Sequence, residues 1–363
     1  MKALMKKFVR FLGTLLLPLF RKRSTLSEQM ARQLLTDCSP KPPSKALADK
    51  NILLPCTCDL QIIIPAYNVE AYLDTCMQSV LSQQTHYTYH VVLIDDGSTD
   101  STAQIADCYR ENKNVTVIHQ KNKGFSGARN TGLKNIFGKY IMFLDSDDAL
   151  CPGAINALLE TAFAHDCDIV EGGAYHFSNA DKGVHFKHEE NQQVSNALGV
   201  LHGQPWAKVF KARCLENLSF PEGFWFEDSI FSFLVYPVAK TVCVIEQMVY
   251  MYRQNQSGIT ATFSGRPKSI DSYWITEALM AERASIGLKN DSRFLTKFFK
   301  QLILNYKRIS GMPENLQESA FVLSCALMQQ HFSSQVFSAS RCPLKQILLK
   351  KDWGAYKLYC KTH

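Results

Sequence analysis

Two acidic clusters dominate the chemistry this 363-residue chain can offer. Asp95-Asp96-Gly97-Ser98 closes an apolar run over His90–Ile94, and Asp145-Ser146-Asp147-Asp148 closes another over Lys139–Leu144. Taken alone, the second cluster reads as a solvated turn after a strand. Carboxylates gathered where a phosphate-bearing ligand would lie instead require a divalent cation between the two anions, and hard oxygen donors suit Mg²⁺ or Mn²⁺. No GxGxxG follows the first apolar run and no GxxxxGK[ST] occurs, so a dinucleotide fold and a P-loop are both disfavoured.

The elements that must position these acids alternate strand and helix. Residues 60–68, LQIIIPAYN, read as a buried parallel strand that stops at Pro65. Asn68 is placed to cap a helix in which Leu73, Met77, Val80 and Leu81 recur to Gln84. A second cycle runs from His90–Ile94 into a helix through Ile105, Ala106 and Tyr109, capped by Ser98 or Thr99. A third strand, Val115–His119, leads into the glycine-rich helix entry KNKGFSGARNTGLKN, and the fourth is Lys139–Leu144. This alternation predicts the α/β class, with a parallel sheet and right-handed crossovers. Ligands of such sheets bind beyond the carboxyl ends of the strands, where Pro65–Asn68, Asp95–Ser98 and Asp145–Asp148 all fall.

In this order IIIPAYN, LIDDGSTDST, NKGFSGARNTGL and FLDSDD resemble the donor-binding domain of the family-2 glycosyltransferases, strongly over residues 60–150 and more weakly to about residue 260. The resemblance implies a GT-A fold, a Rossmann-like and mostly parallel sheet flanked by helices. It also implies transfer of a sugar from a nucleotide-diphosphate sugar, most often a UDP-sugar, with inversion at the anomeric carbon. Pro65, Ala66 and Tyr67 then match the loop along the nucleotide, and Asp96 matches the carboxylate that bonds the base, with Asp95 a second candidate. Arg129 matches the arginine near ribose and phosphates, while Gly124 and Gly127 let backbone approach the ligand. Asp145, Ser146 and Asp147 match the DxD motif. Asp147 is expected to bind the metal (Mn or Mg) directly, and Asp145 to reach the ribose or a metal-bound water. Asp148 could substitute.

Residues 165–177 read as a further strand after a helix Gly153–Ala164, and Ser178–Gln193 as a surface loop. Pro205–Lys211, PWAKVFK, and the pair Glu227-Asp228 resemble acceptor-side signatures of the same family. An inverting displacement needs a carboxylate to take the acceptor hydroxyl's proton. Asp228 is the expected base, with Glu227 the runner-up or a positioner of the acceptor. Trp206, Lys208 and Trp225 are assigned to acceptor binding; the tryptophans could stack on sugar faces or belong to the core. Some relatives add a later histidine as metal ligand. Tyr252–Thr260, YRQNQSGIT, has none, which leaves the third ligand open and makes Arg253 a candidate diphosphate contact. His185 and His202 read as structural or surface residues.

The formal charge is +7. Residues 1–23 hold seven Lys/Arg and no acid, and residues 341–363 hold six against one Asp, so the middle of the chain is net acidic. That distribution lacks the continuous positive face of a nucleic-acid binder. In residues 1–23, Lys2, Lys6, Arg10 and Thr14 share one helical face, with Leu4, Phe8, Phe11, Leu12, Leu15 and Leu19 on the other. The pattern fits a helix lying on an anionic membrane surface or one docked on the protein's own body. Arg10 and Arg21-Lys22-Arg23 argue against a secretory signal, and no run reaches the ~20 residues of a spanning helix. Twelve irregularly spaced cysteines without a CxxC read as free thiols of a reducing compartment.

The expected organisation is a surface helix 1–23, a linker 24–58, a nucleotide-sugar half 59–150, an acceptor half 151–265 and a helical region 266–363. That last region would cover the sheet, hold the membrane or form an oligomer contact. The expected protein is an inverting glycosyltransferase on the cytoplasmic face of the inner membrane or in the cytoplasm, not secreted. It would extend a saccharide acceptor, lipid-linked, in lipopolysaccharide, capsule or exopolysaccharide synthesis. A nucleotidyltransferase and a non-catalytic nucleotide-sugar-binding subunit are the alternatives.

Overall fold

The computed structural model describes residues 2–43, 51–178, 181–255 and 258–363. The chain forms two compact units, residues 43–257 and residues 1–42 with 258–363. Helices α1 (Lys2–Leu16) and α2 (Glu28–Cys38) open it.

Residues 43–257 carry one ten-stranded sheet: β1 (Ile52–Ala66), β2 (Tyr89–Asp95), β3 (Val115–His119), β4 (Asn135–Phe143), β5 (Ala149–Leu150), β6 (Ile169–Phe177), β7 (Lys182–Phe186), β8 (Gln192–Val194), β9 (Lys208–Lys211) and β10 (Val242–Arg253). The order is β3-β2-β1-β4-β9-β6-β10-β5, with β7 on β6 and β8 on β10. β3, β2, β1 and β4 pair in parallel, as do β6 and β10, while β9 joins the two sets antiparallel. The connecting helices are α3 (Leu73–Leu81), α4 (Thr102–Asp107), α5 (Gly124–Leu133), α6 (Ala154–Ala164) and the single turn α7 (Ala197–Val200).

The apolar stretch at the end of β1 follows from its place between two neighbours, for Leu60, Ile62, Ile63 and Ile64 are all buried. α5 lies close on this strand because Gly132 has no side chain; a Cβ there would stand 2.5 Å from Ile63 Cγ2. Register places Ala66 beside Asp95, Asp95 beside His119 and Ile63 beside Phe143, so the tips of β1, β2, β3 and β4 open on one edge.

Three segments differ from the sequence expectation. β4 begins at Asn135, ahead of its apolar run. The expected surface loop 178–193 contains β7 and the start of β8; β7 is an exposed edge strand, so its residues lack an apolar signature. The expected linker 24–58 contains all of α2, which Ser27 caps by accepting from Met30 N and which buries Ala31 and Leu35, and β1 starts at Ile52. Residues 44–50 of that linker lie outside the described residues.

After β10 come α8 (Ile259–Thr262), α9 (Asp271–Ser285), α10 (Ser292–Ile309), α11 (Glu314–His331), α12 (Ser334–Ala339), α13 (Pro343–Leu349) and α14 (Trp353–Thr362). Phe294, Leu295, Phe298, Phe299 and Leu302 form the buried face of α10 that their spacing predicts. α2 packs on α11, and α1 packs on α14, where Gly13 leaves no room for a Cβ beside Thr362. The other side of α1 leaves Phe8, Phe11 and Leu15 exposed, as is Leu19 in the turn that follows. The expectations for Lys2, Leu4 and Lys6 lie outside the described side chains. Among the described residues no helix is long and apolar enough to cross a membrane. All twelve cysteines are free thiols.

Candidate functional site

At the tips of β1 and β2 the two loops are tied together. Asp96 N donates to Ala66 O (2.8 Å), Asn68 N to Ser98 Oγ (3.1 Å), and Asn68 Oδ1 accepts from Thr99 N (2.8 Å). Asn68 is therefore a loop tie in a left-handed conformation (φ 50°), not the helix cap its position predicts, and α3 begins only at Leu73. Pro65 and Ala66 floor this edge, with Tyr67 exposed beside them.

Asp95 and Asp96 are both buried, but their oxygens fare differently. Asp95 uses both, one accepting from Ser98 N (3.1 Å) and one facing His119 Nδ1 (2.8 Å). Asp96 Oδ1 accepts from Gln120 Nε2 (2.6 Å) and Lys123 N (2.9 Å), while Oδ2 finds no partner among the described residues. A buried, unpaired carboxylate oxygen is a vacancy for a donor, so Asp96 is the one equipped to meet a ligand. Its hydrogen bonds with Asp95 and Asp107 raise the titration of His119, and sequence reasoning missed this histidine and Gln120. Gly124 opens α5 at φ 72° with open space around its Cβ position, whereas Gly127 is packed against Lys123.

The acidic loop after β4 separates into distinct roles. Asp148 is buried and latched, accepting from Tyr250 Oη (2.7 Å) and from Arg253 N (2.6 Å). It is therefore not free to substitute for its neighbour, a correction to the sequence expectation. Asp147 is half-buried; burial and then the negative charge of Asp145 push its carboxyl above the ordinary range. Its carbonyl accepts from Arg253 Nε (2.7 Å), and its Oδ2 lies 3.4 Å from Asn255 Nδ2. Arg253 is itself held over the rings of Tyr72 and Phe177. Asp145 is partly exposed, and Ser146 between them is buried. A carboxylate whose charge is opposed by a neighbouring carboxylate suits a hard divalent cation, which relieves the repulsion. Asn255 thus meets Asp147 through its amide nitrogen, in the segment where the sequence shows no histidine. Gln256 and Ser257 of the same segment lie outside the described residues.

Arg129, on α5, joins this loop to the second acidic pair. Its guanidinium donates to Asp145 Oδ1 (2.7 Å) and to Glu227 Oε1 (2.5 Å), while its buried Nε lacks a partner among the described residues. Burial opposes the charge, yet Asp145 and Glu227 hold Arg129 above its ordinary range. Glu227 is pushed up to about 7 by burial and by Asp228, with Arg129 pulling the other way. The residue before it, Phe226, has φ 64°, a costly conformation for an aromatic residue and one that marks functional loops. Asp228, more exposed than Glu227, stands just before the helical turn Phe231–Val235. Trp225 is half-buried on the same loop.

The other two acceptor-side expectations are corrected. Trp206 is buried, with its ring stacked on Tyr250 at 4.6 Å and on Tyr252 at 5.5 Å. The ring thus belongs to the core. Lys208 is buried against Glu171 Oε2 (2.5 Å) and donates to the carbonyls of Gln204 and Trp206. His185 packs beside Trp206 and Tyr252, and His202 meets Glu171.

Residues 61–217 match the family model described as Glycosyl transferase family 2. Similar proteins include glycosyltransferase GlyA of Streptococcus pneumoniae, 27% identical over 81% of this chain and 44% of its own length. Glycosyltransferase GlyG of the same species is 28% identical over 69% of this chain and 88% of its own. The uncharacterized glycosyltransferase EpsJ of Bacillus subtilis is 33% identical over 55% and 62%. The chain thus spans about half the length of GlyA and under two thirds of EpsJ. Among solved structures, S. aureus TarS 1-349 in complex with UDP-GlcNAc superimposes with a TM-score of 0.67 at 21% identity, over 84% of this chain and 90% of that one. This likeness establishes the GT-A fold.

Proposed function

Residues 61–217 belong to the family-2 glycosyltransferases, and from that premise we propose that the pocket moves a sugar from a UDP-sugar to a saccharide acceptor with inversion at the anomeric carbon. One observation carries the proposal. A single guanidinium, that of Arg129, bridges the acid of the donor loop and the acid beside the expected base. Donor and acceptor chemistry therefore share one pocket.

Asp96 Oδ2 is free to accept an N–H of the base, and Pro65, Ala66 and Tyr67 line the nucleotide's path. Asp147 and Asp145 would hold a divalent metal, Mn or Mg, which would neutralise the leaving diphosphate. Arg253, anchored by Asp147 O, lies beside the same group. Asp228 takes the acceptor hydroxyl's proton as that oxygen bonds the anomeric carbon and the bond to the diphosphate oxygen breaks. Glu227 orients the acceptor, and Trp225 stacks on its sugar face. Similar solved structures support the donor and the metal: S. aureus TarS in complex with UDP-GlcNAc, and a Pyrobaculum calidifontis mannosyltransferase in complex with GDP-Man and Mn²⁺.

The acceptor is proposed to be a lipid-linked saccharide of surface-polysaccharide synthesis. The exposed apolar row on α1, with Arg10 on the same helix and Arg21, Lys22 and Arg23 following it, supports docking on the cytoplasmic face of an anionic membrane. Flotation with phosphatidylglycerol vesicles tests this, and a Phe11→Ser, Leu15→Ser double variant should no longer float.

The enzymatic test is a panel of nucleotide sugars with Mn²⁺ and lipid-linked acceptors, read as UDP release. Asp228→Asn should lower turnover by about 10²–10⁴-fold with donor binding intact, and Asp147→Ala should lose the metal dependence. Unchanged turnover in Asp228→Asn removes the base assignment, and pyrophosphate in place of UDP removes the reaction.

A further inference from the structure

Glu171, in the middle of β6, is surrounded in a way that an ion pair with Lys208 does not explain. Lys208 Nζ occupies Oε2 at 2.5 Å, and His202 N donates to the same oxygen at 3.0 Å. The other oxygen, Oε1, faces three nitrogens: His188 Nε2 at 2.8 Å, His202 Nδ1 at 3.1 Å and His202 N at 3.3 Å. A carboxylate oxygen offers two lone pairs, so three donors crowd it. The two imidazole nitrogens and Oε1 all lie within 4.8 Å of one another.

We propose that Glu171, His188 and His202 form a second metal site, selective for a borderline transition-metal cation such as Zn²⁺. Two imidazoles and one carboxylate oxygen are a zinc donor set, whereas the all-oxygen set of the Asp145–Asp147 loop suits Mg²⁺ or Mn²⁺. Tetrahedral donors around zinc stand about 3.3–3.5 Å apart, so the pairs at 2.8 and 3.1 Å need to open by only a few tenths of an ångström. Placing a cation between them turns the two ring nitrogens from competing donors into lone-pair ligands and relieves the crowded oxygen. Lys208 keeps Oε2 and leaves Oε1 for the cation. Glu171 is buried and the His188 side chain is 8% exposed, while the His202 side chain is 37% exposed and leaves one side open to water as fourth ligand. Phe186 stacks on His202 at 3.7 Å and fixes its ring.

Such a site would staple the segment carrying His188 and His202 onto β6, the stretch after β7 that lies between the donor and acceptor signatures in sequence. It is independent of the proposed transfer reaction, because none of its ligands belongs to the pocket around Asp147.

The test is zinc binding by the full chain, measured by competition with a chromophoric chelator, by metal content after desalting and by thermal melting. The expected result is one Zn²⁺ per chain with a rise in melting temperature, retained in Asp147→Ala. His188→Ala and His202→Ala should each weaken binding by at least about 100-fold, since even outer-shell changes cost 10–100-fold. These variants keep the Glu171–Lys208 pair, so they are expected to fold. Absence of stoichiometric zinc in the wild type, or equal zinc in both histidine variants, overturns the site and leaves a hydrogen-bonded cluster.

Discussion

Glu171 on β6 and Glu227 ahead of the turn at Phe231 are both buried carboxylates that meet one basic side chain at 2.5 Å. Glu171 has Lys208 to itself, with a backbone N–H and two imidazoles, and stays well below the carboxylate range although burial opposes it. Glu227 shares Arg129 with Asp145, sits next to Asp228, and is pushed up to about 7. Burial is common to both. The number of donors available to each acid decides which charge is settled and which is poised, and poised acids gather where chemistry is done.

The contrast breaks most visibly if each cation is removed. Lys208→Met strands an ionised carboxylate inside the sheet and should cost about 3–5 kcal/mol in urea denaturation. Arg129→Met should cost clearly less, because Glu227 can take a proton near neutral pH, but it should abolish transfer. Equal losses of stability in the two variants would erase the distinction. A smaller effect sharpens it. Glu227 moves from an ordinary value of 4.5 to about 7 on folding. The folded state therefore binds the extra proton between those pH values, and the stability this brings is complete below 4.5 and lost as pH rises through about 7. Glu227→Gln lacks this loss, so it should gain about 1–3 kcal/mol on wild type between pH 5 and pH 8. Denaturant melts at both pH values decide it, and a pH-independent difference would mean that Arg129 fully satisfies the acid.

The two regions were not equally legible in the sequence. The strand tips could be read because each motif is contiguous: a strand delivers Asp96 or Asp147 to its own end, and the strand itself is apolar on both faces. The Arg129 clasp could not, since Arg129 and Glu227 approach across 98 positions of chain. Trp206 and Lys208 were assigned to the acceptor from a motif, and a motif does not reveal which side of a sheet its residues face. The same blindness concealed β7, a short exposed edge strand, and α2, which buries only Ala31 and Leu35.

The smallest expected effect lies in the tryptophans, one beside each carboxylate. Trp206 lies two residues before Lys208 and stacks on Tyr250, whose hydroxyl latches Asp148. Trp206→Phe keeps an aromatic ring but loses part of that stack, worth about 0.5–1.5 kcal/mol of stability, and should leave the KM for acceptor unchanged. Trp225, half-buried two residues before Glu227, should behave in the opposite way. Trp225→Phe is expected to raise the acceptor KM about fivefold, roughly 1 kcal/mol, while the retained half-buried ring keeps the stability change below about 0.5 kcal/mol. The two measurements must split, stability for one residue and KM for the other. Were Trp206→Phe to raise the acceptor KM instead, its buried stack would open during turnover, and the sheet beneath Glu171 would be part of the acceptor site rather than its support.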